Sequence, residues 1–485
     1  MSASGSISEH RTPVTRTDRA VRPGLLEVGV MKRVAVVLLA AACAPVWASE
    51  AGKPSLQSLV AGTSEAGAPG CAVGLFRDGQ ADRMAFAGLA DVDAGRPIDG
   101  DTLFYAASVS KQFTALAVAQ LVADGKLSLD DDVREFIPEL PRYSAPVTLS
   151  MLLHHTSGVR DFLSLIRMAG LGSASGNTRE TALELLYRQQ TTNFAPGTQY
   201  LYSNGGYLLL AEVVARVSGE SFPDYLKRHV LDPLGMRRSH ILQGDAEGGN
   251  VAHGYIDQAG AFVVRDTYPR FGGSGGLMTS INDLARYQAD LASGHVVWTA
   301  EIRRILLKPG TLLDGSVALH PKQQLAYAGG LLVGERGGQR VIQHGGSAEA
   351  FRSAFARLPD AGIGVAVLCN RGDRNAQALG EQALALYGVA LGNTESAADA
   401  TTIHPGRYRA DELGASYEVG FEGERLILRI HSDHAGTAPV TMAFEREEDG
   451  RYVGESFSIS PAPDGRGLTL GSSRAYGILA RPVAP

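Results

Sequence analysis

The chain has 485 residues, 44% of them hydrophobic and 20% charged, and its 45 lysines and arginines are outnumbered by 51 aspartates and glutamates. This composition excludes disordered, collagen-like and small cystine-rich proteins. The net charge of −6, with no block of like charge, argues against nucleic acid and anionic membranes as partners. Seven of the basic residues are lysines, so each lysine can be tested individually for a chemical role.

A hydrophobic leader is predicted near the start of the chain. Residues 1–30 are polar, and we expect them to be untranslated or disordered because Met31 offers a second start. A basic segment at Met31 precedes an apolar run that ends at Ala48, where small residues fit a signal peptidase site. Residues 31–48 are therefore predicted to be the signal peptide of a periplasmic or secreted protein, with a buried hydrophobic helix as the alternative. Lipid attachment at Cys43 is less favoured, because a small alanine stands three positions earlier.

Residues 52–393 are predicted to form one α/β domain. Its predicted elements are, in chain order, a strand and hairpin within 69–87, a helix from Ser108 to Gly125, mostly helical structure over 127–292, short strands after Pro321, and a helix over 376–387. Strands at both ends with helices between them predict one antiparallel sheet flanked by helices, with an inserted helical lobe. A cleft between the two lobes is the expected site.

Two cysteines, Cys71 and Cys369, lie in short β-like runs of this domain. They could pair in an oxidising compartment. We favour the alternative that both are small buried hydrophobic residues. Neither lies in a spacing typical of a zinc site.

The pattern changes after residue 400 to short alternating strands separated by turns. Tyr417, Val419 and Phe421 alternate with polar residues, and a Glu-Gly turn precedes a second alternating run. Residues 401–485 are therefore predicted to form a small all-β module.

One lysine follows a serine by one helical turn, in the segment Ser108-Val109-Ser110-Lys111. Residues three apart on a helix share a face, so the Lys111 amine can reach the Ser108 hydroxyl. A serine needs an adjacent base to become a nucleophile, and lysine serves as that base only when burial or nearby positive charge keeps it neutral. A helix-capping serine followed by a solvated lysine is the alternative for this short pattern.

Two further segments carry candidate site residues. In Tyr202-Ser203-Asn204 the phenol could relay protons and the Asn204 amide could hold a substrate carbonyl. The second segment is His344-Gly345-Gly346-Ser347. Its two glycines leave room for a substrate beside a strand. The backbone N–H of Ser347 could then complete an oxyanion hole with that of the nucleophile.

The order Ser-x-x-Lys, Tyr-x-Asn, His-Gly-Gly resembles the serine β-lactamase and penicillin-binding-protein superfamily. The Tyr-x-Asn form resembles the class C branch, which includes D-aminopeptidases, D,D-carboxypeptidases and esterases. Further similar stretches lie at 152–158, 196–206, 275–279 and 283–285. The module after residue 400 resembles the lipocalin-like barrel appended to some of these hydrolases. It could restrict entry to the cleft or mediate oligomerisation, and we favour a passive stabilising role.

The resemblance implies an acyl-enzyme mechanism. Ser108 would be acylated, Lys111 and Tyr202 would share general-base and general-acid duty, and His344 would contribute the third catalytic motif. Asn204, Gly346 and Ser347 would bind substrate.

The substrate prediction depends on one departure from the family pattern. True β-lactamases of this branch usually carry lysine where this chain has His344, and histidine is only partly charged near neutral pH. We therefore predict a serine hydrolase acting on D-amino-acid peptides or carboxylic esters, with weak or absent β-lactam turnover. A non-catalytic relative that binds peptidoglycan or a partner protein is the alternative.

No cofactor, metal, nucleic acid or integral membrane span is expected, and a homo-oligomer is possible. The adjacent pair His154-His155 lacks the spacing of helical metal ligands, so we interpret it as part of a loop that shapes the cleft.

Overall fold

The described chain contains 22 strands and ten α-helices. The strands are β1 (Cys71–Arg77), β2 (Gln80–Ala87), β3 (Leu89–Asp91), β4 (Arg96–Pro97), β5 (Phe104–Tyr105), β6 (His240–Ile241), β7 (Tyr255–Gln258), β8 (Ala261–Val264), β9 (Leu277–Thr279), β10 (Ala326–Tyr327), β11 (Leu332–Arg336), β12 (Gln339–Ser347), β13 (Arg352–Leu358), β14 (Ile363–Cys369), β15 (Gly406–Ala410), β16 (Ala415–Glu422), β17 (Arg425–Ser432), β18 (Val440–Arg446), β19 (Tyr452–Val453), β20 (Ser458–Pro461), β21 (Leu468–Ser472) and β22 (Ala475–Pro482). The helices are α1 (Leu56–Ala61), α2 (Lys111–Ala123), α3 (Leu149–Leu153), α4 (Phe162–Met168), α5 (Arg179–Tyr187), α6 (Asn204–Ser218), α7 (Phe222–Leu226), α8 (Ile281–Ser293), α9 (Ala300–Leu306) and α10 (Ala376–Ala385).

These bounds come from a computed structural model that describes residues 55–172, 176–244, 249–391, 405–423, 425–446, 452–454, 456–461, 467–472 and 474–483. The predicted signal peptide at 31–48 and the alternative lipid site at Cys43 lie outside the described residues. Among the described helices, none combines the length and apolar character that crossing a bilayer requires.

The central sheet joins strands from both ends of the predicted α/β domain. Its seven antiparallel strands run in the order β10-β11-β12-β13-β14-β1-β2, so the last long strand pairs with the first. Every residue of β14, and all but the last residue of β1, is buried. Both faces of the central strands are therefore covered, which accounts for their continuous apolar runs. The predicted fold class, an antiparallel sheet with an inserted helical lobe, is confirmed.

Helices cover the two faces of the sheet. Helices α1 and α10 pack on one face, whereas α8 packs against β1 and β14 from the other. The inserted helices gather around α2, which contacts α6, α7 and α9, and α2 is buried along most of its length. The first residue of α2, Lys111, is therefore buried together with the rest of the helix.

Cys71 and Cys369 lie opposite one another on β1 and β14 and form a disulfide bond. Both residues are fully buried. The favoured interpretation of two unpaired hydrophobic cysteines is therefore wrong. Antiparallel register brings the two residues together across 298 positions of sequence, a pairing that neither local pattern reveals.

The strands from β15 to β22 close into an eight-stranded antiparallel barrel. Alternate residues such as Tyr417 and Val419 are buried, as the period-two pattern predicts. The barrel packs on the helical lobe: the Tyr417 hydroxyl donates to the Met168 carbonyl at 2.8 Å, and Arg160 forms an ion pair with Glu412. The predicted all-β, barrel-like module is confirmed.

Candidate active site

Ser108 lies in a single 3₁₀ turn, residues 107–110, that leads directly into α2. The residue before it, Ala107, has a φ of +49°, in the left-handed region that residues with a side chain rarely adopt. Ala107 is buried, so packing maintains this conformation at a local cost of about 1 kcal/mol or more. The turn presents Ser108 to a cleft while the backbone on either side of it stays buried.

The side chain of Lys111 is completely buried and surrounded by three oxygen atoms. Its Nζ lies 2.8 Å from Asn204 Oδ1, 2.8 Å from the Ser274 carbonyl oxygen and 3.2 Å from Ser108 Oγ. Within the described residues, no carboxylate forms an ion pair with this amine. The sequence prediction that Lys111 reaches Ser108 agrees with these distances.

The three contacts suit a neutral amine. An amide oxygen and a carbonyl oxygen only accept hydrogen bonds, so they take two N–H groups of Lys111. Burial lowers the Lys111 pKa well below its usual value, and the charge of Arg474 lowers this pKa further, against the opposing effect of Asp161. The lone pair of the neutral amine then faces the Ser108 hydroxyl, which is the arrangement of a base and its nucleophile.

Asp161 determines which way Asn204 faces. One carboxylate oxygen of Asp161 accepts hydrogen bonds from both the backbone N–H and the side-chain Nδ2 of Asn204, at 2.8 and 2.7 Å. A carboxylate cannot donate when ionised, so the amide NH₂ must face Asp161 and Oδ1 must face Lys111. The other Asp161 oxygen caps α4 by accepting from the Ser164 N–H at 3.0 Å.

Tyr202 lies on the loop just before α6, with its ring beneath the lysine. Lys111 Nζ is 4.7 Å from the centroid of the ring. The phenolic oxygen is buried and has no hydrogen-bond partner in the part of the chain that the structure describes. Burial raises the Tyr202 pKa, and the charge of Arg474, followed by the Ser108 hydroxyl, opposes this rise. A protonated phenol therefore lies beside Ser108.

His344 is buried on β12 with both ring nitrogens occupied. Nδ1 lies 2.6 Å from the Gly345 carbonyl oxygen, so Nδ1 carries the proton, and the Tyr327 hydroxyl donates to Nε2 at 2.9 Å. Burial lowers the His344 pKa to about 3. The ring is thus neutral near physiological pH, and it lines the cleft as a fixed, uncharged group.

Gly346 allows β12 to approach the turn that carries Ser108. A side chain there would place its Cβ 2.5 Å from the Ala106 carbonyl oxygen and 3.1 Å from the Ser108 backbone nitrogen. The adjacent Ser347 ends the strand and lines the same cleft. Among the described residues, none accepts a hydrogen bond from the Ser108 N–H, which is the donor expected of an oxyanion hole. The pairing of this donor with Ser347 stays a prediction.

These residues surround a cleft of about 820 Å³. Six of the seven predicted site residues line this cleft. The seventh, Lys111, lies directly behind Ser108 and Asn204. The barrel also reaches the cleft, through Arg474 and Ser456. Within the described residues, no group of His, Cys, Asp and Glu is arranged to hold a metal ion.

Four residues of this site were not found from sequence: Asp161, Ser274, Tyr327 and Arg474. Ser274 directly precedes the similar stretch at 275–279, which offered a signal for its position. The other three act through partners that are distant in sequence, so no local spacing marks them. His155 also supports the site, because its Nδ1 accepts a hydrogen bond from the Ser203 N–H at 3.1 Å, in the loop that carries Tyr202.

A serine paired with a buried lysine, in a cleft between an antiparallel sheet and a helical lobe, defines a serine hydrolase of the penicillin-binding type. The family model described as Beta-lactamase matches residues 56–389. The chain belongs to this family, and it is an enzyme of the serine hydrolase class.

Curated relatives and solved structures agree with this assignment. The chain is 28% identical over 404 residues to a D-aminopeptidase of Cereibacter sphaeroides, covering 83% of this chain and 73% of the relative. It is 27% identical over 379 residues to a D-aminopeptidase of Brucella anthropi, covering 77% and 69%. An octameric penicillin-binding protein homologue from Pyrococcus abyssi superposes with a TM-score of 0.62 at 25% identity, covering 88% of this chain and 99% of that one.

Proposed function

We propose that the enzyme hydrolyses amide bonds of small substrates with a D-amino acid on the acyl side, through an acyl-enzyme on Ser108. The observation that carries the chemistry is the buried amine of Lys111, which lies 3.2 Å from the Ser108 hydroxyl and has no carboxylate partner among the described residues. The substrate class is supported by relatives named D-aminopeptidase at 27 to 28% identity.

The reaction proceeds in two transfers of the acyl group. Lys111 takes the proton of Ser108 as Oγ attacks the substrate carbonyl carbon, and backbone N–H groups of Ser108 and Ser347 stabilise the resulting oxyanion. The proton passes by way of the Tyr202 hydroxyl to the leaving nitrogen, so the C–N bond breaks and a neutral amine departs. Water then attacks the ester, its proton returns to Ser108, and the acid is released.

Weak or absent β-lactam turnover is part of this proposal. The position that usually holds a fixed cation is occupied by His344, whose pKa of about 3 leaves it neutral. Class-C-like hydrolysis of a penicillin or cephalosporin by the purified enzyme would contradict the proposal.

We further propose that the enzyme acts in the periplasm or outside the cell. The predicted signal peptide at 31–48 and the Cys71–Cys369 disulfide both suit an oxidising compartment. Fractionation of the native host, with the N-terminus of the mature protein read by mass spectrometry, tests it. A cytoplasmic protein that retains residues 31–48 would overturn it.

The nucleophile is tested by intact mass after treatment with a fluorophosphonate. We expect a single adduct that disappears in Ser108→Ala and persists in Ser128→Ala, a matched change at an exposed serine. D-alanine and L-alanine p-nitroanilides then test the substrate class. A folded enzyme that forms no adduct, or that cleaves only the L-isomer, would refute the proposal.

A further inference from the structure

The turn between β21 and β22 brings an arginine of the barrel into the catalytic cleft. Arg474 Cζ lies 4.9 Å from the centroid of the Tyr202 ring. Arg474 belongs to the barrel, about 270 positions after this tyrosine, so the contact exists only because the barrel docks on the helical lobe. A barrel residue thus contacts the side chain to which we assign proton transfer.

The turn is held by hydrogen bonds to its backbone. The Arg474 carbonyl oxygen accepts from the Asp161 N–H at 3.0 Å and from Asn193 Nδ2 at 3.2 Å. The side chain of the same Asn193 accepts from the Tyr476 N–H at 2.9 Å. These hydrogen bonds therefore hold the backbone of the Arg474 turn beside the site, and the guanidinium group lines the cleft.

The guanidinium group of Arg474 has no acidic partner in the part of the chain that the structure describes. Within the described residues, Arg474 forms no salt bridge and its side chain donates no hydrogen bond. Asp161, a buried carboxylate of the same site, already accepts hydrogen bonds from the backbone N–H and the side-chain Nδ2 of Asn204. Glu349, the one acidic residue among those described along the cleft, bonds to Thr267 instead.

We propose that Arg474 binds a carboxylate on the leaving side of the substrate, so that the barrel selects peptides whose released residue has a free α-carboxylate. Guanidinium groups bind carboxylates through two parallel hydrogen bonds, and Arg474 has its donors available. In an α-amino acid the carboxylate carbon is two bonds from the nitrogen. When Tyr202 protonates the leaving nitrogen, that nitrogen lies close to Tyr202. The carboxylate two bonds away therefore lies near Arg474, which contacts the ring of the same tyrosine.

This inference rests on the proposed function, and it assigns a recognition role to the barrel. Arg167, Arg352 and Arg474 all line the cleft, but among the described residues Arg474 is the arginine of the three that contacts the Tyr202 ring, and the neutral His344 offers no cation. The expected substrates are dipeptides with a free C-terminal carboxylate rather than simple amino-acid amides.

The test compares two substrates that differ only in the group to be recognised: D-alanyl-glycine and D-alanyl-glycinamide. We expect the wild-type kcat/KM to favour the free acid by about ten- to hundredfold, the range for a hydrogen-bonded charged pair. Arg474→Gln should reduce this ratio to about 1, and Arg474→Lys should retain part of it. Arg429→Gln, at an exposed position on the same barrel, should leave the ratio unchanged.

The ratio separates recognition from other effects of the arginine. Loss of its charge also raises the Lys111 pKa, but this changes both substrates equally and cancels in the ratio. A wild-type ratio near 1, or an unchanged ratio in Arg474→Gln, would overturn the inference while the proposed function stands. If wild type cleaves neither dipeptide and forms no fluorophosphonate adduct, the proposed function itself fails, and the inference fails with it.

Discussion

The two parts of the chain that meet at the cleft contribute to it in different ways. The α/β domain supplies Ser108, Lys111, Tyr202 and Asn204 from helix ends and the loop before α6, where each side chain is buried or hydrogen-bonded. The barrel supplies Arg474 from a turn, exposed and without a charged partner in the described structure. We infer that the first part determines the chemistry and the second part determines which substrate reaches it.

The largest effect is expected where the first part is changed. Lys111→Arg keeps a positive charge but cannot supply a neutral base, because the arginine pKa is too high. We expect a loss in kcat/KM of about 10⁴-fold or more, as large as in Lys111→Ala. Lys126→Arg, at an exposed lysine in the turn after α2, is the matched control. Stopped-flow acylation rates measure the effect, and a Lys111→Arg enzyme with a tenth of normal activity would show that no neutral lysine is needed.

A smaller effect is expected from the residue that orients the site. Asp161→Asn retains a good helix cap for α4 but loses the carboxylate that orients Asn204. We expect kcat/KM to fall by about ten- to hundredfold. Because the Asp161 charge raises the Lys111 pKa, its removal should shift the acidic limb of the pH profile of kcat/KM to lower pH.

The opposite shift is expected when a positive charge is removed. Arg474→Gln should move the same limb to higher pH, because the Arg474 charge lowers the Lys111 pKa. An Asp161→Asn enzyme that loses activity with an unmoved limb would indicate structural damage only.

Docking of the barrel can be weakened without changing the nucleophile. Glu412→Gln leaves the buried Arg160 guanidinium without its ion-pair partner, and the Arg160 side chain is only 1% exposed. Because Glu412 is partly solvated, we expect a loss of about 2 kcal/mol in the free energy of unfolding. Chemical denaturation measures this loss.

The matched control is Glu418→Gln, whose pair with Arg407 lies at the surface, and which should change stability by less than about 0.5 kcal/mol. In Glu412→Gln we also expect a weaker preference for free-acid dipeptides with nearly unchanged fluorophosphonate reactivity. Equal losses of both would show that barrel docking and chemistry are not separable.

The smallest effect concerns the strained residue before the nucleophile. Ala107→Gly removes the side chain that disfavours a φ of +49°, so we expect the free energy of unfolding to rise by about 1 kcal/mol. Thermal unfolding monitored by circular dichroism measures this change. A destabilised variant would show that packing of the Ala107 methyl group outweighs the strain.

The sequence predicts most of the α/β domain because its signals are local. A lysine one turn after a serine shares a helix face with it, and the strand and helix periods place the remaining motifs on their elements. The Cys71–Cys369 bond, the contact of Asp161 with Asn204 and the place of Arg474 depend on pairings between distant segments. Ala107 gives no signal either, since alanine has no preference for the left-handed backbone that it adopts.

The disulfide makes a covalent ring of the chain from Cys71 to Cys369. This ring contains the nucleophile turn, the whole helical lobe and the strand with His344. A protease that cuts one exposed loop inside it leaves two fragments that remain joined through the central sheet. We therefore expect a nicked enzyme to keep its cleft assembled under oxidising conditions and to come apart only after reduction, which links resistance to proteolysis to the redox state of its surroundings.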